Sequence, residues 1–411
     1  MAGMAVSRGT AGLAGLLGPA FVASMAYVDP GNVAANLSAG ARYSYCLVWV
    51  LVAASAMAML VQYLSAKLGV VTGRSLSTLV SERFDTLPGG WLWRRLYALQ
   101  ALAVAVATDV AELIGGALAL YLLFGVPLWL GGLLVGLATL VLLQVLRSRG
   151  EHLFQAAVCA VLGLVVVGFV AGLFWAQPSP QATVAGLRPG FPEPAAVPLA
   201  AAMLGATVMP HAIYLHSTLA ADRHRPGGRL ERPVPALLRA QRVDVLLALL
   251  VAGGVNVSML LFAAAALPHS GAPDTIEQGY RAIHDQVGFA PATVFALGLL
   301  ASGLGSSVVG THAGARMMRD LLPWQLPSWL RRTVVIAPAT LLLWWGGDPT
   351  RLLVVSQLAL SFGIAFALVP LLLLTGSRAV MGEYRDHPVL RVAAWTVVAL
   401  VVVLNGWLLV G

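Results

Sequence analysis

Apolar residues fill this chain in long stretches divided by short polar segments. Crossing about 30 Å of hydrocarbon takes roughly 20 helical residues. Runs near that length lie at 13–40, 45–68, 94–122, 126–146, 153–175, 198–220, 242–267, 288–315, 332–347, 352–376 and 389–410. The pattern predicts eleven transmembrane helices. The longest loops left over, 176–197 and 268–287, are short and rich in Pro, Gly and Ala, so no soluble domain of useful size remains.

Basic residues orient these spans, because cytoplasmic loops collect arginine and lysine. Every second loop is basic: Lys67, Arg74, Arg83, Arg94 and Arg95; Arg147 and Arg149; Arg223, Arg225, Arg229, Arg232 and Arg239; Arg316, Arg319, Arg331 and Arg332; Arg378, Arg385 and Arg391. The loops between them hold only Arg42, Arg188, Arg281 and Arg351. The alternation predicts a multi-pass protein of the cell's inner (plasma) membrane, with the N-terminus cytoplasmic and the C-terminus outside. Arg8 followed by an apolar run could pass for a signal peptide. That run continues into Asp29 and Pro30 without a convincing cleavage site, so it is read as the retained first span.

Composition agrees. Of 411 residues, 59% are hydrophobic and 10% charged, and the mean hydropathy of +0.84 belongs to the membrane class. The net charge of +8 is spread over short loops rather than gathered in a patch, which argues against a nucleic-acid partner. Cys46 and Cys159 lie in apolar stretches and lack the spacing of a zinc site or a disulfide framework.

Two spans are interrupted. The first contains Ala26-Tyr27-Val28-Asp29-Pro30-Gly31-Asn32, a carboxylate, a helix breaker, a flexible residue and an amide at mid-membrane depth. Pro and Gly free backbone carbonyls, which the bilayer tolerates only where they face protein or a polar cavity. An intramembrane Asp is itself a candidate functional residue. The sixth span repeats the device at Ala206-Thr207-Val208-Met209-Pro210-His211. Breaks five spans apart are the mark of an inverted-repeat transporter whose site lies where the halves meet. The repeats fall at about 13–175 and 198–376 of a single transmembrane domain, with a peripheral helix at about 389–410. The alternative is that each Pro is a simple kink and Asp29 pairs with a buried base.

Asp29-Pro30-Gly31-Asn32, Met209-Pro210-His211 and Tyr214-Leu215-His216-Ser217 together resemble the Nramp family of proton-coupled divalent metal transporters. The likeness extends to Gln62–Gly69, Ala107–Glu112, Gly310–Gly314 and Ser356–Pro370. It implies an all-α, LeuT-type 5+5 inverted repeat that imports Mn²⁺, Fe²⁺ or similar ions, with H⁺ as the coupling ion and no cofactor. It implies a metal site made of the Asp29 carboxylate, the Asn32 amide, the Met209 thioether and the carbonyls of Ala26 and Ala206. The chemistry is coherent, since oxygens alone would suit Mg²⁺ or Ca²⁺ and one sulfur tilts the set toward later transition metals. Met209 could instead be packing, the usual fate of a methionine.

Asp109 and Glu112, i and i+3 on the third span, share a helix face. The resemblance supplies a partner in Arg332 on the ninth span, with Arg331 beside it. A route from Asp29 or His211 through Asp109, Glu112 and Arg332 would carry protons apart from the metal; a structural salt bridge is the alternative. His211 and His216, i and i+5, are not placed for joint ligation. His152 beside Glu151 reads as a solvated cap. Four positions depart from the family pattern: Ala212 and Ser55 replace asparagines, Leu102 replaces an acid near Asp109, and Gly363 stands where a ligating glutamine is common. Water or a different neighbour such as Gln62 is then expected to complete the shell. The rival functions are an uncoupled divalent facilitator that accepts Mg²⁺, and an intramembrane metalloenzyme. The second is disfavoured by the lack of His-Glu-x-x-His or a facing acid pair. The expected partners are the metal ion, protons and the lipid bilayer, with the chain monomeric or weakly oligomeric.

Overall fold

The computed structural model describes residues 18–224, 230, 232–267, 275–286, 288–322 and 328–410, excepting the side chains of 147, 151, 152, 328–333 and 410. The chain is all-helical there. In order, α1 (Pro19–Ser24) runs into a 3₁₀ turn (Met25–Val28), followed by α2 (Pro30–Tyr43), α3 (Val48–Thr72), α4 (Leu76–Asp85), α5 (Gly90–Phe124), α6 (Leu128–Ser148) and α7 (Glu151–Ala176). Next come α8 (Pro180–Ala185), α9 (Ala196–Thr207), α10 (Pro210–His224), α11 (Val234–Ala266), α12 (Ile276–Gln286), α13 (Phe289–Leu321) and α14 (Ser328–Trp344). The chain closes with α15 (Pro349–Thr375), α16 (Arg378–Met381) and α17 (Pro388–Val410).

Among the described residues nine helical segments are long and apolar enough to cross a membrane, counting α9 and α10 as one, and two shorter apolar helices lie at Pro19–Val28 and Val334–Trp344. These short pieces belong to the expected first and ninth spans. Four helices were not expected. The short α8 and α12 stand inside the two longest predicted loops, α4 follows α3 directly, and the four-residue α16 lies between the last two predicted spans. α5, α11 and α13 also outrun their apolar stretches, at 35, 33 and 33 residues. Helical hydrogen bonding continues past the hydrocarbon wherever nothing breaks it. Cys46 falls in the turn between α2 and α3 rather than within a span, and both cysteines are exposed.

Lipid tails are as apolar as Leu, so helix association in a membrane depends on close packing. Small residues provide it here. α13 packs along both α5 and α7, and a Cβ on Gly303 would lie 2.9 Å from the Gly116 nitrogen, while one on Gly168 would lie 2.7 Å from the Gly298 Cα. α11 lies against α2 and α3, and α15 against α9. The two broken segments are thereby held in the interior: Met25–Ala41 and Ala206–Ala221 are buried throughout.

The last helix is attached by polar contacts. On α15 the Ser361 hydroxyl donates to Asn405 Oδ1 at 2.7 Å, and Asn405 Nδ2 donates to the Ser361 carbonyl at 2.9 Å. Just before α17, Asp386 forms an ion pair of 2.6 Å with Lys67 at the end of α3, with side chains only 1% and 7% exposed.

Candidate metal centre

Asp29 has extended backbone (φ −72°, ψ 166°) and serves as the N-cap of α2, its Oδ1 accepting from the Asn32 N–H at 2.9 Å. Pro30 at the first helical position needs no N–H partner. The break therefore places a carboxylate at the positive end of a helix. In the second break α9 ends at Thr207, Val208 leaves helical geometry (φ −105°, ψ 67°), and α10 restarts at Pro210. Asp29, Asn32, Ala26, Ala206 and Met209 are all fully buried.

The two breaks meet directly. The Asn32 Nδ2 donates to Asp29 Oδ1 at 2.6 Å and to the Ala206 carbonyl at 2.8 Å. The amide NH₂ thus stands between a carboxylate and a carbonyl, where positive charge is wanted. To offer its own oxygen to a cation the Asn32 amide must turn over. Neighbouring carbonyls of the first break are already engaged: Asn256 Nδ2 donates to Tyr27 O at 2.8 Å, and the Ser302 hydroxyl donates to Val28 O at 2.5 Å.

One expected ligand is replaced. Gln62 is committed elsewhere, its amide donating to the Tyr27 hydroxyl at 2.5 Å and its oxygen bonded to His216 Nδ1 at 2.7 Å. The glutamine at Asp29 is Gln357 of α15, whose Nε2 donates to Asp29 Oδ2 at 3.3 Å. Gly31 is what admits it, since a Cβ there would fall 1.7 Å from Gln357 Nε2. Gly363 is correspondingly not a lost ligand. It packs between Val104 and Pro210, 2.7 Å and 3.4 Å from where its Cβ would be. Gln357, whose amide reaches Asp29, stands six positions before it on the same apolar helix.

Asp109 and Glu112 stand on α5, a different helix from the residues of the two breaks, and α5 packs on the first break at Gly115, where a Cβ would lie 2.0 Å from Pro30 Cβ. A Cβ on Gly310 of α13 would lie 3.0 Å from Glu112 Oε1 and 3.1 Å from Asp109 Oδ1, so both carboxylates converge on that glycine. Glu112 is fully buried, and among the described residues neither of its oxygens is hydrogen-bonded. Beside Asp109 is a cavity of about 40 Å³, mostly apolar in lining (Leu102, Val106, Leu140, Met318) with Thr139, Ser307 and Thr311 among its polar groups, and roomy enough for a water. α14 packs on α5 and α6, but the side chains of Arg331 and Arg332 lie outside the described residues, as does that of His152. His211 is buried with neither ring nitrogen hydrogen-bonded among the described residues. Next along α10, the Tyr214 and Tyr97 hydroxyls are hydrogen-bonded, and Tyr97 donates to Phe366 O at 2.8 Å.

Among the described residues no group of three or more His, Cys, Asp or Glu could hold a metal. The donor set at the breaks has one carboxylate, with amides, a thioether and carbonyls around it. Such a set suits an ion that is picked up and released more than one stored permanently. A helical membrane protein with two broken spans meeting at a buried carboxylate belongs to the LeuT-like fold class. The fold is shared with Mhp1, a nucleobase-cation-symport-1 family transporter, at a TM-score of 0.58 and 17% identity over 86% of this chain and 77% of that one.

Within that class the chain belongs to the Nramp family, described as natural resistance-associated macrophage protein-like, which matches residues 20–411. It is 52% identical over 397 residues to the divalent metal cation transporter MntH of Mycobacterium tuberculosis, covering 96% of this chain and 91% of the relative. It is also similar to the Eremococcus coleocola manganese transporter, crystallised with an aromatic bis-isothiourea compound, at 28% identity and a TM-score of 0.83 over 97% of this chain and 87% of that one.

Proposed function

We propose that this protein imports divalent transition metals, Mn²⁺ and Fe²⁺ foremost, by alternating access around the two breaks. The observation that carries the reading is the convergence of Asp29, Asn32, Ala206 and Gln357, with Met209 at the second break. Asp29 supplies charge, Met209 supplies softness, and Asn32 and Gln357 supply amide oxygens after turning over. The ion replaces the amide hydrogens that now bridge Asp29 and Ala206. The N-terminus is cytoplasmic and the C-terminus outside, following the loop arginines.

Met209 sets selectivity in this reading. Met209→Ala is expected to weaken Mn²⁺ uptake without abolishing it and to make Ca²⁺ and Mg²⁺ better competitors, because the ligand set becomes uniformly hard. Competition assays with a fluorescent divalent-ion reporter in proteoliposomes read this. Unchanged Ca²⁺ competition would mean that Met209 is packing.

Protons use the α5 acids, which stand on a different helix from the metal ligands, with Asp109 lining a water-sized cavity. Asp109→Asn is expected to keep metal uptake while lumenal acidification falls, measured with a trapped pH dye. Leu102 lines the same cavity in place of an acid, which favours loose coupling in the wild type. Wild-type metal uptake with no pH response would replace symport by uniport.

A further inference from the structure

At the end of the molecule bearing the basic loops, the amphipathic helix α4 leaves a groove against the end of α15 and the short α16. The groove has a volume of about 420 Å³; Val80 and Phe84 of α4 face Leu373, Leu374 and Val380 across it. Leu373 is 61% exposed, so the groove opens outward from the bundle. Its polar residues are Arg83 and Ser377.

Arg83 is distinguished by what its neighbours do. Arg74 pairs with Glu82 at 2.6 Å, and Arg94 pairs with Asp85 at 3.2 Å. These two pairs use the acids on either side of Arg83, which has no ion pair among the described residues and is exposed. A second cation is close. Arg391 Nε lies 3.5 Å from where a Cβ on Gly376 would be, one residue before Ser377. Ser377 begins α16 without a side-chain cap bond, leaving its hydroxyl available to an acceptor.

We propose that this groove binds one acyl chain of an anionic glycerophospholipid whose headgroup phosphate is held by Arg83. The chemistry matches in both parts: an apolar slot that opens at the end of a spanning helix, and an unpaired guanidinium at its edge that offers two parallel donors to phosphate oxygens. A soluble peptide would have to compete for this apolar slot with bilayer lipid. Because α4 and α15 both contact α10, a lipid there would brace the inner end of the second broken segment. The site depends on α4 lying at the membrane surface and not on which ion is carried, so its failure would leave the transport reading intact.

Native mass spectrometry of the full chain in detergent, with equal added phosphatidylglycerol or phosphatidylcholine of the same acyl chains, tests it. Wild type is expected to retain phosphatidylglycerol about fivefold more than phosphatidylcholine, the preference one basic residue gives near an anionic headgroup. Arg83→Gln should bring the two lipids level, whereas Arg188→Gln, in a loop at the opposite end, should change nothing. Ala379→Trp, which fills the groove at an exposed position, should lower retention of both lipids. Equal retention of the two lipids by wild type, an unchanged preference in Arg83→Gln, or undiminished binding in Ala379→Trp would overturn the proposal.

Discussion

Asp29→Asn is expected to weaken Mn²⁺ binding by at least about a hundredfold. Two unit charges 4 Å apart at an effective dielectric of 20 attract by about 4 kcal/mol. A divalent ion doubles that attraction, while the hydration it surrenders takes much of it back. A net loss of about 3 kcal/mol corresponds to roughly two decades in Kd. The substitution is close to isosteric, and Asn can still accept from the Asn32 N–H as the N-cap of α2. Folding should therefore survive, and an unchanged melting temperature in detergent would confirm that the loss is electrostatic. Isothermal titration with Mn²⁺ gives the affinity. A Kd within a fewfold of wild type would remove Asp29 from the site.

The second large effect concerns stability. Lys67→Met leaves the Asp386 carboxylate buried without its cation, and breaking such a pair costs about 3–5 kcal/mol. A marked fall in melting temperature is expected, and Asp386→Leu alone should behave similarly by stranding Lys67. Joining the two substitutions removes both charges and should recover most of the loss, because an apolar pair avoids the desolvation penalty altogether. Additive losses in the double variant would show that the two residues act separately.

The breaks were legible because their chemistry is local. Asp-Pro-Gly-Asn and Met-Pro-His carry helix breakers and ligand-grade side chains within a few residues, at a depth where lipid forbids unpaired backbone. Asp109 and Glu112 were legible for a similar reason, being acids three apart in an apolar run. Gln357 was not. Its helix continues without a break, so nothing along the sequence marks which position faces Asp29, and the sequence reading looked for a glutamine six residues on, at Gly363, rather than at Gln357. The one available signal was Gln357 itself, a lone amide in the apolar run 352–376. Gln62 looked available on the same grounds, and only the packing of α3 against α10 shows it committed to Tyr27 and His216. Ser302 and Asn256, which hold the carbonyls of the first break, look in sequence like isolated polar residues. Lys67 and Asp386 are 319 residues apart, and no local pattern joins them. The short α4, α8, α12 and α16 escaped because a search for membrane-length apolar runs passes over helices that lie outside the hydrocarbon.

Uptake of Mn²⁺ by proteoliposomes containing the purified chain, followed with a trapped metal-quenched dye, tests the central claim most directly. The account predicts saturable uptake that Fe²⁺ or Cd²⁺ inhibits and a large excess of Mg²⁺ does not, and that vesicles carrying the Asp29→Asn variant lack. Uptake no faster than in protein-free vesicles, or equal uptake through the Asp29→Asn variant, would contradict it.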